Sequence, residues 1–324
     1  MGVELRDKVY QLFVLGTEGD GYKTALGKGL GGMIFFAKDI LSVEQFKGLI
    51  NDVKSLAKVK PFLSIDQEGG RVERTENIYG GKKYLSAKFA YEKGLEFLEN
   101  QTEQIANELK SYGINLNFAP CIDVNTNPEN PIIGERAFSS NVEEVIVAEN
   151  IVSRVYKQNS IIPCVKHFPG HGDANADSHL TLPQIDLSLE EMEQIHIKPF
   201  RLSIQKGVEM VMVAHLHCTC FEKDVIPTSL SKVAISYLRE VLGFDGVVIS
   251  DDMVMKGVAH FGQLDACIMA LKAGVNLFIY RDSSQGTIDL IDELYEQSLQ
   301  DTELRLSIEK SYDRVVKLKQ KYFL

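Results

Sequence analysis

Clustered positive charge is missing from this sequence. Lysine and arginine number 35 against 45 aspartates and glutamates, a formal net charge of -10, and the basic residues nowhere form a block. A nucleic-acid surface needs such a block to neutralise phosphates, so no nucleic-acid partner is expected. A disulfide framework is missing too. The five cysteines, at 121, 164, 218, 220 and 267, are odd in number and irregular in spacing, and three of them lie in apolar segments. That pattern predicts buried, reduced thiols. Cys218-x-Cys220 has no second pair to complete a zinc site, and no metal is expected. The N-terminal stretch carries Glu4, Arg6, Asp7 and Lys8 around a short apolar run. It is neither a signal peptide nor a membrane span, which predicts a cytoplasmic protein without a membrane partner. No glycine-rich phosphate loop follows an early strand. The run Gly27 to Gly32 precedes a strand instead, so neither a nucleotide site nor a cofactor is expected. Pro/Ser-rich linkers and low-complexity segments are absent, and residues 1–324 read as one domain.

What is present is an alternation. Short apolar runs recur at residues 9–15, 32–36, 61–65, 114–118, 161–165, 210–213, 246–249 and 276–280. They are too short for helices and read as buried strands. Between them lie amphipathic stretches with good end signals. Residues 42–56 open on Ser42, residues 95–112 stop at Gly113, and Ser188-Leu189-Glu190-Glu191 is a capping box. A last amphipathic helix spans about 302–322 and is expected to pack outside the strands. Eight strand–helix repeats predict a (β/α)8 TIM-type barrel, with a doubly wound sheet as the rival.

The polar residues are placed unevenly along this pattern. Asp66, Lys166, His167, His215, Asp251 and Arg281 all stand at or just beyond the C-terminal ends of the predicted strands. In a barrel those ends share one mouth. The densest stretch runs from Lys166 to His179 and holds three histidines, two aspartates and a lysine, with Pro169, Gly170 and Gly172 excluding regular structure. Asp177 and His179 are two apart, so in an extended segment one carboxylate can orient one imidazole for proton transfer. Asp251 and Asp252 are adjacent on a strand and point to opposite faces, so one of them enters the pocket. The loop from Asp66 to Arg74 and the segment around Arg136 offer carboxylate, amide and guanidinium groups suited to a polyol.

Several of these segments together resemble one family. SIDQEGGRVER, GINLNFAPCIDV, NPIIGERAF, VKHFPGHGDANADSHLTLP, PTSLS and GFDGVVISDDMVMKGV look like the successive signatures of glycoside hydrolase family 3, in its NagZ-like β-N-acetylglucosaminidase branch. The resemblance covers about residues 8–282. It implies that Asp251 is the catalytic nucleophile and that His179 is the general acid/base, with Asp177 as its partner. It implies that Asp66, Arg74, Arg136, Lys166 and His167 grip an N-acetylglucosamine unit. Ala174 stands where many members have threonine, and Asn276 where aspartate is common. The second α/β domain of larger members is not expected.

The reaction implied is removal of a terminal β-linked N-acetylglucosamine with retention, through a covalent glycosyl-enzyme. Loop closure at each turnover would use the glycines near Pro169. The substrate implied is a GlcNAc-1,6-anhydroMurNAc muropeptide of peptidoglycan recycling, acted on by a monomer. Two alternatives remain. One is a phosphorylase of the same family, with phosphate as acceptor. The other is a metal-dependent barrel hydrolase using His167, His171, His179, His215, His217 and Asp251.

Overall fold

Eight parallel strands close into a ring in sequence order. They are β1 (Phe13–Glu18), β2 (Gly32–Phe35), β3 (Phe62–Ile65), β4 (Leu116–Asn117), β5 (Ile162–Phe168), β6 (Met210–Val213), β7 (Val247–Asp252) and β8 (Leu277–Asp282). β8 pairs back onto β1 through Phe13 with Phe278 and Val14 with Ile279. The protein is described here from a computed structural model, which covers residues 3–174 and 182–323. The expected barrel is therefore found, and the doubly wound sheet is not. A ring has no sheet edge, and helices cover its outside. This is why the strands read as continuous apolar runs instead of alternating ones.

The helices follow their end signals. Ser42 caps the helix Val43–Leu56 by accepting from the Gln45 N–H. The helix Leu95–Tyr112 stops at Gly113, which takes a left-handed φ of 90°. Ser188 and Glu191 form the reciprocal capping box. The C-terminal helix Thr302–Phe323 crosses the end of the barrel where strands begin. Phe323 stacks edge-on against Phe62, and Asn276, just before β8, donates to Ser311 Oγ at 3.1 Å. The Asn276 carboxamide also accepts from Arg239 and from the Val248 N–H at 2.9 Å. An aspartate there would lose the donor that reaches Ser311.

One boundary differs from expectation. The run from residue 9 to 15 is not a single strand, because Leu5–Tyr10 is helical and β1 begins at Phe13. Val9 and Tyr10 are as fully buried as Phe13 and Val14. Apolar continuity across the junction hid the change of period, as short buried runs do.

Candidate active site

Each strand end delivers its polar residue to one rim. Asp66 follows Ile65 of β3, Lys166 and His167 lie in β5, His215 follows β6, and Asp251 lies in β7. Lys166 is only 2% exposed and its ammonium lies 2.8 Å from Asp66 Oδ1 and 2.6 Å from Glu68 Oε1. Glu68 in turn accepts both arms of the Arg136 guanidinium, at 2.9 Å from Nε and 2.8 Å from Nη2. One buried carboxylate thus neutralises two cations. Burial pushes the Glu68 carboxyl up, but Arg136 and Lys166 outweigh it and hold it well below the usual carboxylate range. Burial likewise opposes the Lys166 charge, and Asp66 with Glu68 more than restores it.

The loop after β3 is built to hold these groups. Gly69 and Gly70 take φ of 96° and 57°, and a Cβ on Gly69 would meet the Leu85 carbonyl at 2.3 Å. Glycine at both positions lets the chain turn where Val72 O accepts from the N–H groups of Glu68 and Gly69. Gln67 then latches the loop, accepting from the Arg74 N–H at 2.8 Å and donating to Thr75 at 3.0 Å. Arg74 reaches to 3.8 Å from Asp66 Oδ2, and its guanidinium lies over the Phe36 ring. Its Nε is buried without a hydrogen-bond partner among the described residues.

His167 is oriented from below by Asp123, a fully buried carboxylate from the loop after β4. Asp123 Oδ2 lies 2.7 Å from His167 Nδ1, and the carboxylate also takes the N–H groups of His167 and His171. Arg136 Nη2 lies 3.3 Å from His167 Nε2. A guanidinium can only donate, so Nε2 accepts and Nδ1–H donates to Asp123, which makes the imidazole neutral. Burial pushes Asp123 up, yet the His167 imidazole and its hydrogen bond, the His171 side chain and the His171 N–H hold it low.

Asp251 and Asp252 part as their alternation requires. Asp252 is tied to the Arg281 side chain of β8 and to the Val254 N–H at 3.2 Å. Burial raises its carboxyl. Asp251 instead faces His167, His215 and Lys166. Burial would raise it too, but the His167 and His215 side chains, the Asp252 N–H at 2.7 Å and the Lys166 ammonium together hold it below the ordinary range. His215 is set by Ser229 of the Pro227-to-Ser231 motif, with Oγ 2.7 Å from Nδ1. Its Nε2 is buried and has no hydrogen-bond partner among the described residues. Burial lowers its pKa against the pull of Asp251.

Asp177 and His179 lie outside the described residues. The approach to them is well defined. Gly170 and Gly172 are both buried, and a Cβ would meet His196 Cβ at 2.7 Å and the Val124 carbonyl at 1.7 Å respectively. Asp173 accepts from Thr126 at 2.8 Å, and the His171 carbonyl accepts from Asn130 at 2.8 Å. The expectation that these two glycines act as a hinge is therefore corrected. They allow two backbones to touch, and the stretch to Ala174 is anchored.

Among the described residues, Cys121, Asp123 and His167 bring possible metal-ligand atoms within 4.8 Å of one another. Their donor set does not suit a cation. Asp123 already accepts the His167 and His171 N–H groups and the Cys121 thiol at 3.2 Å, and burial beside Asp123 keeps that thiol protonated. His215 and His217, each with one ring nitrogen engaged, by Ser229 and by the Glu222 carbonyl at 3.0 Å, are not part of that cluster.

The structure thus brings together Asp66, Arg74, Arg136, Lys166, His167 and Asp251. It adds Glu68, Asp123 and Ser229, to which sequence reasoning had assigned no role, and sets His215, read from the sequence as a strand-end group and an alternative metal ligand, beside Asp251. Glu68 and Asp123 stood inside quoted motifs, but nothing local marks them as counter-ions. Their partners are 68 and 44 positions away.

Comparison with known proteins gives the family. Residues 4–318 match the glycosyl hydrolase family 3 N-terminal domain. A beta-hexosaminidase of Methylococcus capsulatus is 33% identical over 268 residues, 82% of this chain and 79% of that protein. The beta-hexosaminidase A of Pseudoalteromonas piscicida is 31% identical over 81% of this chain, which spans about half (47%) of that relative. The solved structure of a family 3 beta-N-acetylglucosaminidase from Paenibacillus sp. str. FPU-7 superposes with a TM-score of 0.91 at 32% identity, covering 99% of this chain and 63% of that one. M tuberculosis LpqI superposes with a TM-score of 0.86 at 27% identity, covering 98% and 94%. With a closed eight-strand barrel, a rim of convergent carboxylates and cations, and these relatives, the chain belongs to glycosyl hydrolase family 3.

Proposed function

We propose that this chain is a retaining exo-β-N-acetylglucosaminidase, acting as one catalytic domain over residues 1–324. The observation that carries the proposal is Asp251. It is a half-buried carboxylate held below the ordinary range by His167, His215, the Asp252 N–H and Lys166 at the barrel mouth, while its neighbour Asp252 is tied away to Arg281. An ionised carboxylate facing the cavity is the group a double displacement needs for attack on the anomeric carbon. Asp66 and Lys166 hold sugar hydroxyls, with Asp66 Oδ2 left to accept because Arg74 stays 3.8 Å away. Arg136 and His167 supply a fork-shaped donor and an oriented imidazole beside it. His179, oriented by Asp177, protonates the leaving oxygen and then deprotonates the incoming water.

The fit to relatives named beta-hexosaminidase and beta-N-acetylglucosaminidase supports N-acetylglucosamine as the sugar. A muropeptide from peptidoglycan recycling, handled in the cytoplasm by a monomer, is part of this reading. No described helix is long and apolar enough to cross a membrane.

The test uses chromogenic β-GlcNAc and β-glucoside with wild type and Asp251→Ala. A loss of about 10³-fold or more in kcat for the variant is expected, with the fold intact by circular dichroism. A 2-fluoro sugar should leave one adduct on Asp251 in the intact mass. No adduct on wild type would remove the covalent route, and a rate that depends on added phosphate would favour the phosphorylase. Activity that survives a chelator would speak against the metal-dependent hydrolase.

A further inference from the structure

Two thiols meet in the turn after the short strand His217–Cys218. Cys218 and Cys220 lie at the first and third positions of a turn, in which the Cys218 carbonyl accepts from the N–H groups of Phe221 at 3.0 Å and Glu222 at 3.1 Å. A turn folds those two side chains to the same side, and the sulfurs stand 3.5 Å apart. The two residues are held unequally. His217–Cys218 pairs in parallel with Gln184–Ile185, and Thr219 donates to the Ile185 carbonyl at 3.1 Å and to Asp186 at 2.8 Å. Cys218 is 1% exposed, whereas Cys220 is partly exposed.

We propose that Cys218 and Cys220 form a redox-active dithiol, converted to a disulfide within the turn by exchange with a small-molecule disulfide. A disulfide bond is about 2.05 Å long, so the sulfurs must approach by about 1.5 Å. Cys218 and Thr219 are pinned by strand pairing, so rotation and a small shift of Cys220 supply that approach. The division of labour follows from exposure. The Cys220 thiolate attacks the disulfide RSSR, forming Cys220–S–SR and releasing RS⁻. The buried Cys218 thiol gives its proton to that thiolate, attacks Cys220 Sγ and expels the second RS⁻, which takes a proton from solvent. The small molecule is reduced to two thiols, and the protein dithiol is oxidised by two electrons. The hydrogen bond between the sulfurs favours these roles, lowering the Cys220 pKa and, together with burial, raising that of Cys218. The other three cysteines, 121, 164 and 267, are free and buried.

The full chain is incubated with oxidised glutathione, then unfolded in denaturant with N-ethylmaleimide so that every remaining thiol is blocked, weighed intact and mapped by peptides. Wild type should lose two alkylatable thiols of its five and two hydrogens of mass, with the link inside the 218–220 peptide, and reduced glutathione should restore both thiols. Cys218→Ser should stop at one glutathione on Cys220, and Cys220→Ser should leave Cys218 unmodified. Five alkylated cysteines after oxidised glutathione would overturn the proposal. So would a wild type that keeps glutathione on Cys220 as Cys218→Ser does. Thiol counting involves no sugar, so this result stands or falls separately from the hydrolase reading.

Discussion

Replacing Glu68 by glutamine removes one charge and almost no volume. In the native site Glu68 takes two hydrogen bonds from Arg136 and an ion pair from Lys166 at 2.6 Å, all with its side chain only 4% exposed. The variant leaves Arg136 with the Ile132 carbonyl at 3.1 Å and Lys166 with Asp66 at 2.8 Å. It also points one carboxamide N–H toward a cation. Breaking a buried ion pair from one side costs about 3–5 kcal/mol. The lower end applies here, because Lys166 keeps Asp66. A loss of ~3 kcal/mol is a large part of a typical stability of about 5–15 kcal/mol. Chemical denaturation should show it as a lower midpoint with unchanged slope. Because Lys166 and Arg136 no longer share an anchor, kcat/KM should also fall, by roughly 10–100-fold. The acid side provides an independent check. Glu68 has a depressed folded pKa, so its stabilisation is fully present above the ordinary glutamate value of about 4.3 and fades as pH falls below it. The variant lacks that share of acid sensitivity, so the stability gap should narrow from pH 6 toward pH 3. A Glu68→Gln protein with wild-type midpoint and wild-type kcat/KM would refute the shared counter-ion.

Asp123→Asn should release His167 to the other tautomer, since an amide can donate to Nδ1 as well as accept from it; kcat/KM is expected to fall about 10-fold or more and its pH profile to move, and an unchanged profile would deny Asp123 a positioning role. Lys319 is buried over the Phe62 ring with no hydrogen-bond partner for its Nζ among the described residues, and burial pulls its pKa down to about 7. Above that pH the unfolded chain binds a proton that the folded chain does not, so stability should rise with pH from about 7 toward 10. Lys319→Met should therefore be the more stable protein at pH 7, by up to about 4 kcal/mol, with the gap closing by pH 9.5. A gap of constant size across that range would sink this reading.

Local chemistry was enough to read the repeat. Each strand run is apolar because it is covered on both sides, and each helix carries its own stop and start residues, such as Ser42, Gly113 and Ser188. The rule that barrel strands converge at their C-terminal ends then put Asp66, Lys166, His167 and Asp251 on one rim without coordinates. Alternation along β7 was enough to say that only one of Asp251 and Asp252 would face the pocket. Choosing Asp251 needed the family likeness, or the sight of Arg281 holding Asp252.

Other features were decided only by folding. Val9 and Tyr10 are helical because the neighbouring helices cover them, which no apolar run announces. Gly170 and Gly172 read as hinge residues and are packing residues, because the surfaces they touch, at His196 and Val124, come from distant segments. Glu68 looked like one more charge in a polar loop until it lay between Arg136 and Lys166. A residue's own chemistry and spacing travel with the chain, so the sequence alone settled the strand–helix repeat and the set of candidate groups at the strand ends, while closure of the strands into a ring was seen only in the fold. Which carboxylate is shared, which histidine is oriented and which thiols meet depends on desolvation and on neighbours many positions away, and only the closed barrel sets those.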